Sequence, residues 1–208
     1  MEYLVLALFA VGGYFISGIN PAIILSKAVY KQDIRECGSG NPGFTNFKRT
    51  FGSKLAYVVM VLDLVKAAVP TLAAGLVMGK FYGMYQLGVT VTCFFAMLGH
   101  AYPVWYNFKG GKGFLVCLAS MWILDWLIGL IATGIMVVLL LTTKYMSLST
   151  MLAMVSCPIA LAIMGFESIW ALVFCALSVL FMIYRHKANI LRLYNGTESK
   201  FTFGKKAH

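Results

Sequence analysis

The chain has 208 residues, 61% of them hydrophobic and only 12% charged, with a mean hydropathy of +0.83. Soluble domains are about 45–50% apolar and about 25% charged, so this composition excludes a disordered chain and argues against a water-soluble domain, which would lack polar surface to cover such a core. The net charge is +10, from 17 Lys and Arg against 7 Asp and Glu; in a soluble protein that excess would point to nucleic acid, but in a membrane protein it reports topology, and no nucleic-acid partner is expected.

A membrane helix needs about 20 mostly apolar residues. The first candidate runs from Tyr3 to about Ser26. No cation precedes it, unlike a signal peptide, whereas Lys27, Lys31, Arg35, Lys48, Arg49 and Lys54 follow it. Cations stay inside, so the N-terminus is expected outside. The second candidate, about Leu55 to Met78, carries Asp63 and Lys66 on one helical face. The third runs from about Met84 to Trp105.

The stretch Phe114 to Thr142 is interrupted only by Asp125. As one helix it would measure about 43 Å against a ~30 Å hydrocarbon core, yet two full spans need about 40 residues. Charge decides. With a single crossing here, the remaining spans, about Ser147 to Met164 and about Glu167 to Tyr184, would leave the tail outside. That tail carries Arg185, Lys187, Arg192, Lys200, Lys205 and Lys206. Two short helices meeting near Asp125-Trp126 restore the parity. The expectation is an all-α integral membrane protein with seven transmembrane or partly spanning helices, N-terminus outside and C-terminus cytoplasmic. Residues 1–208 form a single transmembrane domain with a basic tail over about 185–208. Every Lys and Arg except Lys66 and Lys80 then falls on the cytoplasmic side. The five cysteines are odd in number and form no CxxC pair, so they read as free thiols. Asn195-Gly196-Thr197 matches a glycosylation sequon, but on the cytoplasmic side it is disregarded.

Polar residues are scarce, and they gather in four places. In Gly38-Ser39-Gly40-Asn41-Pro42-Gly43-Phe44-Thr45-Asn46 the glycines permit positive φ, and successive N–H groups form an anion-binding concavity. Ser39, Asn41, Thr45 and Asn46 add donors, and Arg49 follows as a bidentate phosphate partner. The accidental GxGxxG has no strand before it, which excludes a dinucleotide fold. The second cluster runs from His100 through Lys109-Gly110-Gly111-Lys112-Gly113, directly before an apolar helix. Cations and glycines at a helix N-terminus suit phosphate, although the Walker spacing is absent. The third, Ser147-Leu148-Ser149, also fits a plain helix cap. The fourth is Arg185-His186-Lys187-Ala188-Asn189. Metal-binding, paired-carboxylate and GxSxG signatures are all missing from the sequence, and no metal or cofactor is expected.

At these motifs the chain resembles the bacterial acyl-phosphate:glycerol-3-phosphate acyltransferases. The residues that carry the resemblance are Ser39-Gly40-Asn41-Pro42-Gly43 with Thr45-Asn46, His100…Pro103-Val104 with Phe108 to Gly113, Ser147-Leu148-Ser149, and His186…Asn189-Ile190, in the family's order over essentially the whole chain. Phe44, Val116 and Ala188 depart from residues usual in the family (Ala, Thr and Glu respectively). The resemblance implies transfer of a fatty acyl group from acyl-phosphate to the 1-hydroxyl of glycerol-3-phosphate, at the cytoplasmic face of the inner membrane. The product is lysophosphatidic acid, in the first acylation of phospholipid synthesis. Membrane lipid is the remaining partner. The Ser39–Gly43 loop with Thr45 and Asn46 is expected to cradle the donor phosphate. Arg49, Lys109, Ser147, His186 and Asn189 are expected to hold glycerol-3-phosphate, with Gly110, Gly111, Lys112 and Ser149 completing the phosphate-binding set. His100, His186 or a substrate phosphate oxygen remain alternatives for the base. A transporter of a phosphorylated metabolite is the rival class; it should show two related halves, and no internal repeat is present. Only the three departures point to a non-catalytic lipid-binding paralogue.

Overall fold

The computed structural model describes residues 1–203; Lys205 and Lys206 of the expected basic tail lie outside the described residues. Ten α-helices, two short 3-10 turns (Ile34–Glu36 and Val104–Tyr106) and no strand are formed among these residues. Helix α1 (Glu2–Gly18) gives way to α2 (Pro21–Tyr30), so the first span is not the unbroken helix its hydropathy predicts. Pro21 supplies no N–H and disfavours helical backbone in the residue before it. Ile19 and Asn20 are accordingly extended, and the Asn20 side chain accepts from the Ile23 N–H at 3.0 Å to start α2. By length and composition Glu2–Tyr30 remains one candidate span. The chain then forms a loop and the amphipathic α3 (Phe44–Phe51) before α4 (Ser53–Tyr82). With 30 residues, α4 is about 45 Å long and exceeds the hydrocarbon core.

Helices α5 (Tyr85–Ala101), α6 (Phe114–Leu124) and α7 (Trp126–Thr143) follow. The expected break at Asp125-Trp126 is present. Asp125 is extended, and its carboxylate accepts from the Leu127 N–H at 2.7 Å, capping α7. The 11 residues of α6 reach about 16 Å, half a span. Gly113, which precedes α6, lies against Met97, one turn short of the end of α5. The far end of α6 is met by Tyr85, whose hydroxyl donates to the Ile123 carbonyl at 2.6 Å. Helices α8 (Met146–Met164), α9 (Ile169–Arg185) and α10 (Lys187–Tyr194) complete the chain, with a 57° bend between the last two.

At one end of the bundle the α4–α5 turn is clasped to the α8–α9 turn. Glu167 accepts from the Gln86 N–H at 2.8 Å, and the Glu167 N–H donates to the Gln86 side chain at 2.9 Å. All four polar clusters lie at the opposite end. The outward faces carry large apolar side chains such as Leu4, Leu8, Val69, Leu141, Ile163 and Leu180, as lipid contact requires. Inside, small residues let helices approach. Gly99 on α5 lies against the Tyr14 backbone so closely that a Cβ would overlap the Tyr14 carbonyl.

Gly99→Ala should therefore destabilise the fold by about 1–3 kcal/mol through overpacking. Gly12→Ala, where a Cβ meets open space, should be neutral or stabilise by up to about 1 kcal/mol. Thermal unfolding in detergent measures both.

Candidate active site

A cavity of about 560 Å³ opens at the polar end, and all four clusters contribute to it. Its first wall is the loop before α3. Gly38 and Gly40 there have φ of 57° and 70°, values that suit glycine. The buried Asn46 side chain braces the loop from behind. Its Oδ1 accepts from the Ser39 N–H at 3.0 Å, and its Nδ2 donates to the Cys37 carbonyl at 3.0 Å. Asn20 donates to the Pro42 carbonyl at 3.2 Å from the α1–α2 break. Gly38, Ser39, Asn41, Gly43, Thr45, Asn46 and Arg49 reach the cavity; Gly40 supports the turn without lining it.

The second wall is the segment between α5 and α6. The Gly110 and Gly111 N–H groups donate to the carbonyls of Ala101 and His100, folding the loop back onto α5. A Cβ at Gly110 would overlap the His100 carbonyl, and one at Gly111 the His100 ring. These glycines are required for close packing and do not line the cavity, contrary to the expectation that they cradle phosphate. The Arg185 guanidinium donates to both glycine carbonyls, with its shortest hydrogen bond 3.1 Å to Gly111, and lies over the Tyr102 ring. Asn107 and Phe108 have positive φ. Beyond this left-handed turn Lys109 is exposed and does not line the cavity. Lys112 does, and donates to Asn189 Oδ1 at 2.5 Å. Burial, with Arg192 and Arg185 nearby, pushes the Lys112 ammonium down to about 8.

The third wall comes from α8, α10 and the tail. Ser147, His186 and Asn189 line the cavity. Ser149 is buried and donates to the Tyr145 carbonyl at 2.8 Å, as an intrahelical bond away from the cavity. His186 Nδ1 lies 2.8 Å from the Met182 carbonyl, which can only accept, so Nδ1 carries a proton. The sequence reading missed Glu198, and it treated Arg192 only as a tail cation. The Glu198 carboxylate accepts from Ser147 Oγ and Asn189 Nδ2 at 2.6 Å and from Arg192 Nε at 2.7 Å. Burial raises its carboxyl, but these hydrogen bonds outweigh that and hold it below the usual carboxylate range. Glu198 is the one acid after Glu167 in a tail rich in cations, and that was the available signal. Beyond it the Phe201 N–H donates to the Lys144 carbonyl, and Lys48 lies over the Phe201 ring and donates to the Thr202 carbonyl.

His100 lines the cavity from α5 and meets the Asp63–Lys66 pair of α4. Asp63 and Thr150 also reach the cavity, and the rest of its wall is apolar, formed by Met60, Leu64, Phe114, Leu115, Leu118 and Met136. Of the three family departures, only Phe44 borders the cavity, while Val116 is buried within α6 and Ala188 is exposed. Chemically, the arrangement is a half-buried cationic pocket, rich in N–H donors, that continues into a hydrophobic slot.

The matching family model is described as glycerol-3-phosphate acyltransferase and covers residues 7–196. A glycerol-3-phosphate acyltransferase of Rhizobium etli strain CFN 42 is 38% identical over 191 residues, 92% of this chain and 89% of the relative. One of Finegoldia magna is 36% identical over 201 residues, 96% and 98% of the two chains. The fold superposes on crystal structures of PlsY (YgiH), an integral membrane glycerol 3-phosphate acyltransferase. Its glycerol 3-phosphate form gives a TM-score of 0.86 at 30% identity, covering 95% of this chain and 96% of that one. Its lysophosphatidic acid form gives 0.83 at 29% identity, covering 95% of each.

Glu198→Ala should release the tail from Ser147, Asn189 and Arg192. A charge-assisted hydrogen bond contributes about 1.5–3 kcal/mol, so tryptic cleavage at Arg192 and Lys200 should accelerate at least about tenfold while cleavage elsewhere is unchanged.

Proposed function

Because the chain belongs to the glycerol-3-phosphate acyltransferase family, we propose that it transfers a fatty acyl group from acyl-phosphate to the 1-hydroxyl of glycerol-3-phosphate. The products are lysophosphatidic acid and inorganic phosphate, in the first acylation of phospholipid synthesis. The observation that carries this reading is the continuity of one cavity from a cationic end, with Arg49, Lys112 and Arg192, to an apolar wall between α4 and α6. Such a space suits a phosphate head on an alkyl chain.

Acyl-phosphate is a mixed anhydride and already activated, so no protein nucleophile is needed. The hydroxyl oxygen bonds to the acyl carbon, the bond from that carbon to the phosphate oxygen breaks, and the hydroxyl proton ends on the released phosphate. Positioning two reactants contributes about 7–11 kcal/mol to such a step. Ser39, Asn41, Gly43 and Thr45 face the donor phosphate. Arg49 and Lys112 neutralise the two phosphates, Lys112 taking the place expected of Lys109. Ser147 and Asn189, drawn together by Glu198, face glycerol-3-phosphate together with His186. The acyl chain occupies the slot beside Leu64, Leu115 and Met136. The site faces the cytoplasm from a multi-pass protein of the inner membrane, the side on which the positive-inside rule places these clusters.

Purified protein should release phosphate from acyl-phosphate only when glycerol-3-phosphate is present. Arg49→Ala and Lys112→Ala should each lower kcat/KM at least about tenfold, as loss of one charge-assisted phosphate contact predicts. Lys109→Ala should stay within about threefold of the native value, a surface substitution costing at most about 0.5 kcal/mol. Near-native kcat/KM for both substrates in Arg49→Ala and Lys112→Ala would overturn the phosphate-binding role. Phosphate binding needs the Lys112 ammonium, so KM for glycerol-3-phosphate should rise as pH increases through about 8. Lys112→Arg, which stays charged, should move that alkaline limb upward.

A further inference from the structure

We propose that His100 serves the reaction as a hydrogen-bond donor through Nε2–H, and that Lys66, held by Asp63, is the positioning residue that fixes it in this form. The proposal rests on the acyl-transfer reading above.

Lys66 Nζ is buried within the bundle and touches three acceptors: Ile19 O at 2.8 Å, Asp63 Oδ1 at 2.8 Å and His100 Nδ1 at 3.0 Å. The Asp63 contact is an ion pair without good hydrogen-bond direction. The Ile19 carbonyl is free because the chain breaks at Asn20, and the Ile23 N–H turns to the Asn20 side chain. An ammonium has three hydrogens to give and no lone pair to accept with. His100 Nδ1 must therefore be the acceptor, and the ring proton sits on Nε2. Lys66 does not border the cavity, whereas His100 does. Nδ1 is turned to Lys66. Nε2 passes beside Gly111, where a Cβ would overlap it, yet among the described residues it has no hydrogen-bond partner and is not fully buried, so it is the ring nitrogen left open to a ligand in the cavity that His100 lines.

The consequence is chemical. One ring nitrogen of His100 is occupied by a proton and the other by Lys66, so no lone pair is free to take a proton from the attacking hydroxyl. His100 can only donate. As the hydroxyl oxygen bonds to the acyl carbon and the phosphate departs, negative charge grows first on the carbonyl oxygen and then on the phosphate, and a fixed N–H stabilises it. His186 is held the other way round. Its Nδ1 donates to the Met182 carbonyl, which leaves the lone pair of the neutral ring at Nε2. The charged groups facing His100 are Asp63 and Lys66 from α4 and Arg185 from the end of α9, and Arg185 is turned to the glycine carbonyls.

The test compares His100→Ala, His100→Gln and the paired change Asp63→Leu/Lys66→Met, which removes both buried charges together. Glutamine carries an N–H where the imidazole carries Nε2–H. His100→Ala should lower kcat by about 10²–10³ with little change in KM, and His100→Gln should recover at least about tenfold of that loss. The paired variant should lower kcat and introduce an acid limb in its pH profile, because the freed Nδ1 can then take a proton. Equal loss in His100→Gln and His100→Ala, together with a native acid limb that both abolish, would overturn the donor role and identify a base. Nitrogen-15 NMR of histidine-labelled full-length protein in detergent reads the tautomer directly, with His100 assigned by its loss in His100→Gln. Nε2–H at neutral pH supports the proposal, and Nδ1–H overturns the positioning by Lys66 even if turnover is intact. Absence of glycerol-3-phosphate-dependent turnover in the native protein overturns the functional reading, and the donor role with it.

Discussion

A lysine inside a membrane protein must find partners for its charge and its hydrogens, and the polar half of this molecule is arranged around that demand. Lys66 finds two hydrogen-bond acceptors, a backbone carbonyl from the break in the first span and a ring nitrogen on α5, and an ion pair with the carboxylate one turn earlier on α4. Each partner would be costly alone. A free carbonyl, an unpaired carboxylate or an unpaired ammonium in a dry interior costs several kcal/mol. Together they lock α1, α4 and α5 into one register and fix the ring at the cavity wall. The glycine pair that folds back onto His100 depends on that ring staying in place, and Arg185 in turn holds the glycine carbonyls.

The division of the chain into helices was legible where apolar runs end in something a lipid cannot accept. The turn at Asp125 could be inferred from the tail's cations alone, because an even number of remaining crossings was needed to keep them inside. The break at Asn20-Pro21 was not inferred. Apolar residues continue on both sides of it, and hydropathy does not register a missing hydrogen bond. In the segment before α6 the lysines at 109 and 112 are equivalent in composition. Which of them faces inward is set by the left-handed turn at Asn107 and Phe108, a conformation that residues other than glycine seldom adopt and that no spacing rule announces.

The polar clusters themselves were readable because polar residues are rare in such a chain. What each one does was less so. Gly110 and Gly111 stand in the motifs as candidate phosphate partners, but in the fold they admit a close approach, and Asn46, which does line the cavity, also braces a loop with its side chain. Glu198 was hidden by its neighbours. Among cations, one acid resembles ordinary surface, and only the fold back from α10 brings it to Ser147 and Asn189.

The half-length α6 has a consequence for how two unlike reactants meet. Its first turn starts beside Met97, below the end of its neighbour, so the polar floor of the cavity lies about one turn inside the end of the bundle. On the proposed reading, an acyl chain laid along the apolar wall has its phosphate at that recessed floor. A water-borne partner descends a short distance to reach it. On that reading the two reactants meet inside the edge of the bundle and not at its surface.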